Sequence, residues 1–184
     1  FITATDTGVG KTIATLVLAT LLKERGYDIG VMKPVQCAGD DAEFLVNSLD
    51  IRDEIDLVNP FFAPEPLSPH LAFKRAKKTI DSTQIIDAYQ QLSNRHEMML
   101  VEGAGGLLVP LTEKYCVSSL IRDLNLDVII VSRLGLGTIN HTLLTIEQVH
   151  EKGLPLLGII FSDTQQKKGV PEKTKRTVCW PPLN

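Results

Sequence analysis

A chain of 184 residues with 43% hydrophobic and 22% charged residues has the makeup of a single globular domain, residues 1–184, with a sizeable core. Its net charge of −3 supplies no basic field for nucleic acid, and no apolar run reaches the roughly 20 residues that a membrane span needs. No secretory leader is visible, and Cys37, Cys116 and Cys179 show no paired metal spacing, which points to a reduced, cytoplasmic compartment.

The chain opens inside an apparent strand, 1–4, and stops at PPLN without a closing helix, so it reads as a portion of something longer. Apolar residues at Ile13, Leu16, Val17, Ala19, Leu21 and Leu22 predict a helix over 13–25, buried at its start and stopped by Gly26. A strand over 29–33 follows, ended by Pro34. Residues 41–49 read as a helix, and 59–69, with four prolines, as a stiff loop. A helix over 81–93 is capped by Asp81 or Ser82. Further strands are expected over 98–101, 128–131 and 156–161, with a helix over 139–152 stopped by Gly153. Residues 165–176 read as a solvated segment. Strands alternate with helices, and the strands are continuously apolar. That pattern predicts an α/β fold with a mostly parallel sheet covered by helices on both faces. Ligands in such folds sit at the carboxyl ends of the strands, where the polar and glycine-rich segments of this chain fall.

The most informative of those segments is TATDTGVGKT, 3–12. It departs from G-x-x-x-x-G-K-[ST] because Thr5 stands where glycine is expected. Even so, Gly8, Gly10, Lys11 and Thr12 lie between a strand and a helix. Glycines there let backbone N–H groups approach a phosphate, and the helix N-terminus favours anions. Lys11 would reach the terminal phosphates and the Thr12 hydroxyl would ligate Mg²⁺. Together these predict a P-loop-containing nucleotide hydrolase type of fold.

Lys33, at the end of the second strand, is placed to meet negative charge in the same crevice. Either Asp40 or Asp41 can complete a Mg²⁺ shell, and a helix N-cap role fits Asp40 better. In VEGAGG, 101–106, Glu102 closes a buried strand, a costly position for a carboxylate unless a cation or donors meet it. In LGTIN, 136–140, Thr138 can cap the helix, while its free N–H groups can hold a carboxylate. His70, His96, His141 and His150 show no metal spacing, and His96 and His150 read as surface residues.

Taken together the chain resembles the dethiobiotin synthetase family. TATDTGVGKT is similar to its phosphate loop, MKPVQCAG to its strand-end lysine segment and NPFFAPEPLSPH to its substrate-side loop. LLVEGAGGLLVPL resembles its magnesium-binding strand and LGLGTINHTLLT its inter-subunit helix start; FSDT and PPL resemble adenine-side segments. Ala4, Gly8, Cys37 and Ser162 depart from residues common in the family. The resemblance implies a ligase that joins CO₂ to 7,8-diaminononanoate with ATP and Mg²⁺. It implies that Lys11 and Lys33 neutralise the reacting anions and that Thr12, Asp41 and Glu102 hold the metal. Gly8, Val9, Gly10, Lys11, Thr12 and Ile13 would wrap the phosphates, with Glu102, Gly103, Ala104 and Gly105 nearby. Thr7 and Cys37 would face the diamine. Ser162, Asp163, Pro181, Pro182 and Leu183 would lie near adenine. Gly137, Thr138, Ile139 and Asn140 of a second subunit would bind the substrate carboxylate, so a homodimer is implied. Two rival readings share the phosphate loop: a partition- or septum-type ATPase switch, and an amide-forming ligase domain of cobalamin or CTP synthesis. The first usually carries lysine where Asp6 stands; the second usually carries a glutamine-hydrolysing domain, which is not expected from these 184 residues.

Overall fold

Apolar strands need helices on both faces, and the chain supplies two such layers. The computed structural model describes residues 1–163. β1 (Ile2–Ala4) leads through the glycine loop into α1 (Lys11–Glu24), and β2 (Ile29–Met32) follows. Next come β3 (Val35–Cys37), α2 (Asp41–Leu49), α3 (Ile55–Val58), β4 (Phe61–Ala63) and α4 (Pro69–Arg75). The second half holds α5 (Ser82–Ser93), β5 (Met98–Val101), α6 (Val117–Asp123), β6 (Val128–Arg133), α7 (Thr138–Glu151) and β7 (Leu156–Ser162).

Every strand pair is parallel: β2 with β5, β1 with β6, β6 with β7, and β3 with β4. A bridge from Ile2 to Glu102 joins β5 to β1, giving the order β2-β5-β1-β6-β7. Alternation along the strands sorts side chains into two cores. Ile29, Val31, Leu100 and Val131 pack with Ala14 and Ala19 of α1 and Leu45 of α2. Met32, Val101, Val128 and Ile130 pack on the other face with Ile85 of α5, Ile121 of α6 and Ile146 of α7.

Most expected elements stand within two residues of their predicted ends. Gly26 (φ 92°) stops the first helix in the left-handed region that its missing Cβ permits. Asp81 caps α5 by accepting from the Thr83 N–H at 2.9 Å. Four expectations are corrected. The start of α1 buries its small residues, Ala14 and Thr15, against the sheet, and leaves Ile13, Val17 and Leu21 about half exposed. Phe61–Ala63 of the proline-rich stretch is a strand, because Val35–Cys37 offers it a parallel partner. Asp40 occupies the N-cap position of α2 but makes no capping bond. Gly137, in the left-handed region, is the N-cap of α7, while the Thr138 hydroxyl turns to Ser132 Oγ at 2.9 Å. No helix among the described residues is long and apolar enough to cross a membrane.

Candidate active site

The site forms where β1, β2 and β5 end side by side. Gly10 (φ 96°) is the N-cap of α1, a backbone conformation that an L side chain resists. It turns the loop so that Lys11 and Thr12 start the helix next to the end of β5. Glu102 follows β5, and its backbone N–H donates to Met32 O at 2.8 Å. Lys33 follows β2, with its N–H on Val58 O at 2.8 Å. Three segments far apart in sequence thus place their polar groups at one edge.

Glu102 is the centre of this edge. It is fully buried, at 0% exposure, in a place where a bare carboxylate would be very costly. Every partner it needs is present. Lys33 Nζ lies 2.6 Å from Oε1, and Thr12 Oγ1 donates to the same oxygen at 2.9 Å. Thr15 Oγ1 lies 3.3 Å from Oε2 and shares its single proton with Lys11 O, the nearer acceptor at 3.0 Å. Lys33 is itself 4% exposed and also pairs with Asp41 Oδ2 at the start of α2. Sequence reading missed Thr15, whose interior helical position gives no sign of a strand-end partner.

Lys11 is buried as well. Burial lowers its pKa from the usual lysine value; the Glu102 carboxylate opposes this, and the nearby Lys33 charge adds to it. The Cys37 thiol is pushed up by burial, against the pull of Lys33, so a neutral thiol faces the same space.

These groups line a cavity of about 740 Å³. Thr7, Gly8, Gly10, Lys11, Thr12 and Ile13 form its loop side; Lys33, Cys37 and Asp41 its floor; Glu102, Ala104 and Gly105 its inner wall. The proline-rich segment closes the far side with Pro66, Ser68 and Pro69. Other expected site residues lie elsewhere. Val9 is buried at 3% exposure beneath the loop. Gly103 packs on Phe1, where an added Cβ would stand 2.7 Å from Cε1, and its N–H bonds Ile2 O. Ser162 ends β7, accepting the Leu134 N–H at 2.9 Å, and Asp163 follows it. Gly137, Thr138, Ile139 and Asn140 stand at the start of α7, apart from this cavity. Pro181, Pro182 and Leu183 fall outside the described residues.

Thr12, Asp41 and Glu102 offer one hydroxyl and two carboxylates, an all-oxygen set suited to a hard divalent cation. No group of three or more His, Cys, Asp or Glu side chains suited to a metal gathers among the described residues. His96, read as a surface residue, is instead mostly buried, bridging Asp28 (3.1 Å) and Asp53 (2.7 Å) beside the opposite ends of β2 and β5.

A family model described as an AAA domain matches residues 1–179. The ATP-dependent dethiobiotin synthetase of Methanocaldococcus jannaschii is 44% identical over 167 residues, which cover 88% of this chain and 78% of that protein. The chain belongs to the dethiobiotin synthetase family. The synthetase of Methanococcus vannielii is 39% identical over 181 residues, 97% of this chain and 86% of that one. Dethiobiotin synthetases are ATP-dependent ligases, and membership places this chain among them rather than among the switch ATPases. Solved structures show the fold alone. The kinase domain of the Escherichia coli tyrosine kinase ETK aligns with a TM-score of 0.56 at 12% identity, over 92% of this chain and 69% of its own. A ParA family ATPase from Chlorobium tepidum aligns with a TM-score of 0.52 at 14% identity, over 88% and 71%. Both agree with a P-loop architecture built on a parallel sheet.

Proposed function

We propose that the protein carboxylates and ring-closes 7,8-diaminononanoate with CO₂, using ATP and Mg²⁺, to give dethiobiotin, ADP and phosphate. The observation that carries this is the convergence of Lys11, Lys33, Thr12, Asp41 and Glu102 on one cavity at the strand ends. Two cations and a hard-metal donor set match a reaction that must bring two anions together.

One substrate amine adds to CO₂, loses a proton and becomes a carbamate. A carbamate oxygen attacks the γ-phosphorus of ATP, and ADP leaves. The second amine then attacks the carbonyl carbon of the carbamic-phosphoric anhydride, and phosphate leaves as the ring closes. The loop from Gly8 to Ile13 wraps the triphosphate, with Lys11 on its terminal oxygens. Lys33 neutralises the carbamate as it approaches, while Thr7 and Cys37 face the diamine. Thr12, Asp41 and Glu102 hold Mg²⁺, which when bound offsets charge on the phosphate oxygens. Ser162 and Asp163 border adenine; Pro181, Pro182 and Leu183, for which the family resemblance implies the same role, lie outside the described residues. Gly137, Thr138, Ile139 and Asn140 of a partner subunit hold the substrate carboxylate, so the working unit is a homodimer. Among the described residues Cys37 and Cys116 are unpaired, which accords with a cytoplasmic setting.

Phosphate release measured with Mg²⁺-ATP, bicarbonate and the diamine tests this reading. Release is expected to depend on the diamine. Hydrolysis that ignores the diamine and responds to DNA or a protein partner would sink it.

A further inference from the structure

A buried primary amide brings two donors and an acceptor that the fold must satisfy. Gln36, the middle residue of β3, is 1% exposed, and both its amide nitrogen and its amide oxygen find local backbone partners. Its Nε2 donates to Gly39 O at 2.8 Å, and its Oε1 accepts the Ala42 N–H at 3.0 Å. Between these two anchors the chain makes an unusual turn. Ala38 and Gly39 are both left-handed, with φ of 59° and 71°, and for Ala38 that conformation is strained.

The turn delivers the chain to α2 with its first N–H groups still without helical partners. Asp40, at the N-cap position, leaves them uncapped. Gln36 does the capping instead, from the neighbouring strand, on the N–H directly after Asp41. The Asp41 carboxylate is 43% exposed and is held through the Lys33 ammonium. Packing therefore contributes little to its aim, and the position of its backbone decides where it points.

We infer that Gln36 is a positioning residue: it locks the Ala38–Gly39 turn and the first turn of α2 so that Asp41 faces Lys33 and Glu102. The role rests on the proposed reading of Asp41 as a metal-side carboxylate. Groups that orient such ligands from behind typically govern metal affinity by about tenfold or more.

Calorimetric titration of ATP, with Mg²⁺ and with EDTA, tests it. In Gln36→Met the affinity gain conferred by Mg²⁺ is expected to fall about tenfold, with the EDTA affinity unchanged. Added to Asp41→Asn, Gln36→Met should cause no further loss, because the two act as one unit. If Gln36→Met does not fold, Gly39→Ala strains the same turn in open space and should show the same loss. A Mg²⁺ gain equal to that of the wild type, or a full further loss in the Asp41→Asn background, would overturn the role of Gln36. A wild-type protein whose ATP affinity ignores Mg²⁺ would overturn the metal reading and this role with it.

Discussion

Glu102 is the residue on which the site turns, because it is a carboxylate with no exposed surface. Its stability depends on Lys33, Thr12 and Thr15 being in place. Removing one partner of a buried ion pair costs more than the pair itself contributes, since a bare charge is left behind. Lys33→Met is therefore expected to lose turnover and also about 3 kcal/mol of stability. The double variant Lys33→Met with Glu102→Gln should recover most of that stability and none of the turnover. Urea denaturation and phosphate release measure the two effects separately, and a single variant as stable as the wild type would refute the account. Lys33 and Glu102 were legible in the sequence because charged groups at the ends of apolar strands stand out, and Lys11 because it follows the glycines of the loop that opens α1. Thr15 and Gln36 were not. The contact of Thr15 with Glu102 comes from a distant segment, and the partners of Gln36 are backbone atoms, which residue type does not reveal.

At the scale of elements, legibility followed length and pattern. α1, α5 and α7 carry enough turns for a period to show, and β2, β5 and the first four residues of β6 are unbroken apolar runs. β3 and β4 have only three residues each, and they exist because each completes the other. α6 is a seven-residue helix with two serines, too short to declare itself. The His96 cluster ties such elements together at the end of the sheet away from the cavity, joining the approaches to β2, α3 and β5. Burial disfavours the imidazolium, yet hydrogen bonds and charge from Asp53 and Asp28 outweigh it and raise the His96 pKa above its ordinary value of 6.5. A raised histidine stabilises the fold fully below the unfolded value and loses that contribution as pH rises through the folded one. The urea midpoint of His96→Gln should thus trail that of the wild type more at about pH 6 than at about pH 8.5. A gap that is constant with pH would show that His96 contributes by packing alone.

For the whole molecule, alternating strands and helices announced a parallel sheet, but not the order β2-β5-β1-β6-β7. Strand order depends on which edges meet, and local pattern carries little of that. The placement of Gly137, Thr138, Ile139 and Asn140 away from the cavity bears on the proposed dimer. Leu136 is fully exposed and Ile139 is 59% exposed, an apolar pair beside the helix start assigned to the partner's substrate. Light scattering is expected to give twice the mass of one chain, with Ile139→Arg shifted toward single chains and weaker in diamine binding. A fully active wild-type protein that scatters as single chains would remove the partner from the site.

The distances along the chain that meet at Glu102 have a consequence for biosynthesis. Thr12 and Lys33 precede it by 90 and 69 residues. A nascent chain presents its phosphate loop early, but the pocket has no inner wall until the fifth strand has emerged and inserted beside the first. Under the proposed function, nucleotide turnover is therefore expected only of chains whose central strands have already found one another.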